Sequence, residues 1–212
     1  TGDGNDDRSI TNSANAGNFK PDWLWIKQRD QTRHHMLVDS NRGATKHTFT
    51  SLTNAESTNA NGVQAFETNG FQLGTDTDVN QNTGTYVAWQ WKSNGGTATA
   101  TISESGSNPA ASVQANTTAG FSIITYTGTG SQGTIAHGLG ATPSMLWIKN
   151  RSTTDSHHTA DSVIGAGFRL RTDTTGALGT QPDGVKSFDS DGITIGTTGS
   201  LNGSGNSIVG WF

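Results

Sequence analysis

Short apolar runs with a period of two dominate this chain. In residues 23–29, Leu24 and Ile26 share one side, while Trp23, Trp25, Lys27 and Arg29 share the other. That is the pattern of a strand with one face in a core. Similar stretches at 35–39, 46–49, 62–66, 71–73 and 85–91 predict further strands, and Asn69-Gly70 predicts a hairpin turn. Residues 1–22 are turn-rich, and 50–62 read as a polar loop with a helical turn around Ala55-Glu56. No stretch carries the 3.6-residue period of a long amphipathic helix, so the predicted class is all-β.

The pattern also repeats. Trp23-Leu24-Trp25-Ile26-Lys27-Gln28-Arg29 returns as Met145-Leu146-Trp147-Ile148-Lys149-Asn150-Arg151, an offset of 122. Comparing 23–90 with 145–212 gives 24 identities in 68 positions, including Trp, Phe, Lys and Arg, so the chain is a tandem duplication. The copies carry the same hairpin, Asn69-Gly70 in one and Asp191-Gly192 in the other, with predicted strands at 185–188 and 193–195 around the second. A closing strand at 85–91 has its counterpart at 207–212.

Between the copies, 97–103 and 120–126 predict two more strands. The latter leads into Thr127-Gly128-Thr129-Gly130, which matches Thr1-Gly2-Asp3-Gly4 at an offset of 126. The four extra residues of copy one fit best in the 12–18 loop, because loops absorb insertions. Copy one then lacks the strand that 120–126 supplies to copy two. Its sheet is expected to have an open edge, an aggregation hazard filled by upstream sequence or another subunit. Thr1 at the start reads as a piece of a longer or processed polypeptide. The expected organisation is two tandem β-sandwich modules of jelly-roll or lectin-like type. Residues 1–92 form the first, 93–120 a linker with room for an extra strand, and 121–212 the second.

Composition narrows the function. With 13 Lys+Arg against 17 Asp+Glu, the chain has no basic excess to bind nucleic acid. No apolar run approaches the ~20 residues of a membrane span. An apolar content of 30% with 28 Gly borders on disorder, but low charge, six Trp and eight Phe argue for a folded β-rich protein. The absence of cysteine removes disulfides and thiolate metal sites.

Candidate chemistry is sparse. His34-His35 and His157-His158 occupy matching regions, yet neighbours on a strand point to opposite faces and cannot chelate one ion. Asp39-Ser40 and Asp161-Ser162 recur near His35 and His157, without a nucleophile elbow or oxyanion hole. The simpler expectation is structural: Asp39 pairs with Lys27 or Arg29 across neighbouring strands, and Asp161 with Lys149 or Arg151. Asp76, Asp78 and Asn80 have calcium-loop spacing but lack the following Gly and the distal Glu, a weak Ca²⁺ candidate. Glu56, Glu67 and Glu104 do not recur as a catalytic pair. No catalytic residue and no cofactor is assigned. Among the tryptophans, Trp25, Trp89, Trp147 and Trp211 recur and are expected in the core. Trp23 and Trp91 belong to copy one only and are the candidates for exposed stacking on sugars.

The segments FKPDWLWIKQR, VDSNRGATK, FETNGFQLGTDTDVN, TYVAWQWK and AGFSIITYTGTG…HGLGATPSMLWIKNR span nearly the whole chain. Together they resemble a repeat module of virion structural proteins of marine phages and cyanophages, especially tail-fibre-like appendages. The second copy departs from the pattern: Asp22 becomes Ser144, Arg42 becomes Ile164, and Trp91 has no counterpart. The resemblance implies a non-enzymatic module on the surface of an extracellular virion, in contact with other virion proteins. It also implies a homo-oligomer, a trimer if the assembly is a fibre, but no known ligand. Host surface polysaccharide is the partner expected of an appendage exposed to the host surface, with Trp23 and Trp91 as the candidate contacts. Loops 50–62, 76–84 and 172–183 are the expected contact regions. A capsid decoration, head-fibre or spacer module without a receptor is the alternative. Neither nucleic-acid binding nor membrane insertion is expected.

Overall fold

The computed structural model describes residues 1–13, 15 and 17–212. The chain is all-β, and it divides into two compact units. Unit 1 comprises Thr1–Ser51 and Glu56–Gly96; unit 2 comprises Leu52–Ala55 and Thr97–Phe212.

Unit 1 runs β1 (Arg8–Thr11), β2 (Trp23–Gln28), β3 (Met36–Asp39), β4 (Lys46–Phe49), β5 (Ser57–Thr58), β6 (Val63–Glu67), β7 (Gly70–Leu73), one helical turn α1 (Thr77–Asn80), and β8 (Tyr86–Trp91). A three-stranded sheet, β1-β7-β6, and a five-stranded sheet, β5-β4-β3-β2-β8, make its two layers. The core forms where both layers present alternate residues. Leu24, Ile26, Met36 and Val38 come from the larger sheet, Val63, Phe71 and Leu73 from the smaller, and Val79 from α1. Each such side chain contributes about 1.5–3 kcal/mol by leaving water.

Unit 2 repeats the plan with β9 (Ala100–Ile102), β10 (Ala111–Asn116), β11 (Phe121–Thr127), β12 (Gly133–Ala136), β13 (Met145–Asn150), β14 (His158–Asp161), β15 (Phe168–Arg169), β16 (Gly179–Thr180), β17 (Val185–Asp189), β18 (Gly192–Ile195), α2 (Gly199–Asn202) and β19 (Ser207–Trp211). Sheet β12-β18-β17 faces β14-β13-β19-β11-β10-β9, and β15-β16 form a separate ribbon. Ile124, Tyr126, Leu146, Ile148 and Ile208 meet Ile135, Val185, Ile193 and Ile195 between the two sheets.

Several expectations are corrected here. Residues 93–120 are not a linker: β9 and β10 are integral strands of the large sheet of unit 2. β10 pairs with β11 over six residues, from Ala111↔Tyr126 to Asn116↔Phe121. The turn-rich segment 1–22 holds β1, which pairs with β7 through Ile10↔Phe71. No helical turn forms at Ala55-Glu56, while α1 lies within the 76–84 segment read as loop. The expected 12–18 insertion includes Ala14 and Ala16, which lie outside the described residues.

The hairpin forms in both copies, but its turn is shifted by one residue. Glu67 pairs with Gly70 and Asp189 with Gly192, so Thr68-Asn69 and Ser190-Asp191 make the loops. The glycine serves a neighbouring strand instead. A Cβ on Gly70, where φ is +117°, would stand 1.9 Å from the Ile10 carbonyl oxygen of β1. One on Gly192 would meet the Ile135 oxygen of β12 at 2.1 Å. Only glycine lets the third strand approach.

Candidate functional site

The outer face of the β2–β8 pair carries four indoles. Pairing Trp23 with Trp91 and Trp25 with Trp89 stacks two cross-strand aromatic pairs on one face, because successive residues alternate sides. Ring centroids are 4.8 Å apart in each pair: Trp23 and Trp91 stand edge to face at 85°, and Trp25 and Trp89 are tilted by 34°. Trp25 is half-buried and donates from Nε1 to Thr50 Oγ1 at 3.0 Å.

Exposure differs from expectation at two of these positions. Trp23 is only 5% exposed, since it lies between Trp25 and Trp91, while Trp89 is open at 40% and Trp91 at 43%. The exposed pair is therefore Trp89 and Trp91, at the edge strand. In unit 2 the recurring Trp147 and Trp211 are buried, with ring centroids 6.0 Å apart. Trp147 Nε1 donates to His157 Nδ1 at 2.9 Å, and the Asp173 carboxylate accepts from the His157 backbone N–H at 3.0 Å. His157 is thus an acceptor for an indole.

Strand register overturns the expected ion pairs. Asp39 lies opposite Trp23, and Asp161 opposite Met145. Lys27 and Lys149 are four residues further along their strands, ~13 Å away at ~3.3 Å per residue. Lys27 Nζ donates to the Gln28 and Gln31 carbonyls. Arg29 sits beyond the end of β2, its backbone N–H bonded to the Thr85 oxygen at 2.7 Å; Arg151 N–H bonds the Ser207 oxygen at 2.9 Å. Lys149, fully buried, donates to the carbonyls of Asp155 at 2.7 Å and Thr53 at 3.1 Å. Burial pulls its ammonium down to about 8, against the opposing pull of Asp155 and Asp173. Asp39 instead meets Arg42, and Asp161 accepts from the backbone N–H of Val163 and Ile164.

The calcium candidate resolves into a capped helical turn. Asp76 is the N-cap of α1 and accepts from Asp78 N at 2.7 Å, while its other oxygen takes a bond from Asn59. Asp78 lies 3.8 Å from Arg33. Asn80 is fully buried and brackets three segments: its Oδ1 accepts from Asp3 N, and its Nδ2 donates to the Asn5 and Gly74 carbonyls. Asn202 does the same in unit 2 with Thr129 N and the Ser131 and Gly196 carbonyls. Its recurrence at the 122 offset was the available signal, concealed in copy one by the Asp-rich spacing. Among the described residues no cluster of three or more His, Asp or Glu is arranged to hold a metal.

Copy one has two more buried polar brackets. Asp22 accepts from Ser40 Oγ at 2.6 Å and from the N–H groups of Ser93 and Gly95. Glu56 joins Arg42 at 3.0 Å in the second; at the surface Glu67 accepts from Ser9 Oγ at 2.7 Å, so both glutamates serve structure.

Unit 2 holds a polar cleft of about 590 Å³ whose lining includes Asp155, Ser156, Arg169, Arg171, Gln181 and Ser200. Arg169 and Arg171 also line an adjoining hollow of about 110 Å³ with Thr174, Gly176 and Gly179, in the loop expected to carry contacts. Among the described residues neither arginine is in an ion pair. Burial, with the Arg171 charge adding to it, pushes neighbouring His158 down to about 4.

The sequence matches the model of a family described as a domain of unknown function, DUF7483, in two segments, residues 1–146 and 142–212. The chain belongs to that family. No curated protein and no solved structure matches it.

Proposed function

We propose that this DUF7483 chain is a non-catalytic structural module of a phage virion, part of a tail-fibre-like appendage that touches host surface polysaccharide. The observation that carries the reading is the exposed Trp89–Trp91 pair on a strand edge, backed by Trp23 and Trp25. Flat indole faces stack on the C–H faces of sugar rings, and the inner pair holds the outer pair rigid. The arginine-lined cleft of unit 2 supports an acidic polysaccharide, because guanidinium groups recognise carboxylate and sulfate in a bidentate manner. Each contact is weak alone. Repeated on a homo-oligomer, a trimer if the assembly is a fibre, they gain avidity through effective concentration.

Binding of the folded chain to host cells, and to extracted acidic and neutral polysaccharides, tests the reading. Saturable binding that is abolished by Trp89→Ala with Trp91→Ala, and weakened by salt, is the expected result. A folded double variant that binds as well as the parent chain overturns it. The second reading, a capsid decoration or spacer module joined to other virion proteins, takes the same exposed indole face as a patch that docks against protein. It predicts no polysaccharide binding at all.

A further inference from the structure

Unit 1 is built like unit 2 without the three strands, β11, β10 and β9, that extend the large sheet of unit 2 past β19. In unit 2, β19 is paired on both sides, with β13 and with β11. Its counterpart β8 pairs with β2 alone and ends the sheet. The β11–β19 ladder exchanges bonds between Ser122 and Phe212, 3.0 Å in both directions. By alternation it continues through Ile124 with Gly210 and Tyr126 with Ile208. At the offset of 122, those β19 residues are Tyr86, Ala88 and Gln90. On the opposite side of β8, Arg29 N bonds the Thr85 oxygen at 2.7 Å, so the odd-numbered residues serve β2 and the even-numbered ones face the free edge.

A cavity of about 270 Å³ lies beside that edge, with Ile10, Ile26, Phe71, Leu73 and Val79 in its lining. It is far larger than the ~30 Å³ share of one water molecule, and its wall is mostly apolar. The counterparts in unit 2, Ile135, Ile148, Ile193, Ile195 and Leu201, pack in one cluster with Ile124 and Tyr126 of β11. The hollow in unit 1 is the place those two side chains fill in unit 2. Thr1 and Gly2 line it as well. Gly2 N donates to the Gly84 oxygen at 2.7 Å, as Gly128 N donates to the Asn206 oxygen at 2.9 Å, so the chain enters both units by one path.

We infer that the β8 edge of unit 1 receives one antiparallel strand, joined to Thr1 in the same polypeptide, with two inward-facing apolar side chains two residues apart. The lining sets their size. Gly210 in unit 2 lies beneath Ile124, where a Cβ would come within 3.2 Å of Ile124 Cγ1; unit 1 has Ala88 there, so a smaller residue fits above it. Tyr126 donates its hydroxyl to the Leu201 carbonyl of α2 at 2.6 Å. In unit 1 Tyr86, which stands where unit 2 has Ile208, itself lines the hollow and narrows it, so the arriving strand carries an aliphatic residue and no tyrosine at that place.

The test fuses Phe-Ser-Ile-Val-Thr-Val directly ahead of Thr1 in the full chain, with a control that has aspartate at its fourth and sixth residues. Hydrogen exchange at the amides of Tyr86, Ala88 and Gln90 should slow by roughly tenfold or more with the apolar extension and stay unchanged with the control. The melting temperature should rise with the first alone. Unchanged exchange, or equal protection by the control, overturns the inference. Concentration-dependent protection of these amides in the unextended chain places a second copy on the edge and overturns the assignment to the same polypeptide.

Discussion

Arg42 Nε donates to Asp39 Oδ2 at 2.6 Å, three residues along the chain, and both side chains are closed off from solvent. The guanidinium also reaches Glu56 at 3.0 Å and the Leu37 carbonyl at 3.3 Å. This buried carboxylate–guanidinium–carboxylate set ties the turn after β3 to the start of β5.

Arg42→Ala should destabilise unit 1 by about 3–5 kcal/mol, because it leaves the Asp39 carboxylate buried without its counter-charge. Arg42→Ile, the residue that copy two carries as Ile164, should cost a similar amount. In copy two Asp161 is only half-buried and is satisfied by backbone N–H groups. Chemical denaturation followed through the β3 amides measures it. A loss under ~1 kcal/mol would show that the set is replaceable by packing.

Acid should weaken unit 2 through His158. Its imidazole is held at about 4 when folded and returns to about 6.5 on unfolding. The unfolded chain therefore binds the extra proton first, and stability falls as pH drops from 6.5 to 4, then levels off. The loss amounts to roughly 3 kcal/mol, at 1.36 kcal/mol per unit of pKa difference. His158→Met, the residue of copy one at Met36, should flatten that part of the profile. Thermal unfolding at pH 7 and pH 4.5 decides it, and an equal acid loss in both chains would sink the assignment.

Asn202→Leu keeps the volume of a side chain that meets three segments but strands the Thr129 N–H and the Ser131 and Gly196 carbonyls. At ~1–3 kcal/mol for each unsatisfied buried group, the cost should be about 3 kcal/mol or more. The Thr129 amide should exchange faster as the loop ahead of β12 comes loose. Unchanged exchange there would mean that water replaces the amide.

Much of the fold was legible because both copies write it. β2 and β13 show the same alternation around Trp25 and Trp147, and the hairpin glycine recurs as Gly70 and Gly192. β1 was not legible: Arg8-Ser9-Ile10-Thr11 has one apolar side chain, and its strand state comes from pairing with β7. Ala111–Asn116 is hidden for the same reason, with Val113 as its only bulky apolar residue. The ion pairs failed on register, which no count of charges reveals. Two strands carried the right residue types, but Asp39 faces Trp23. Recurrence in the sequence does not report burial: Trp89 is open to water where its counterpart Trp211 is closed off.

Trp89 and Trp211 occupy the same place in the repeat, one 40% open to water and the other 3%. The duplication has thereby given the chain two optical reporters of unlike surroundings. Emission from Trp89 and Trp91 should lie toward the red and be open to a soluble quencher, while Trp147 and Trp211, like Trp23, should emit from a shielded setting. Loss of the red, quencher-accessible component should therefore report, without any label, a change at the outer face of β8 in unit 1.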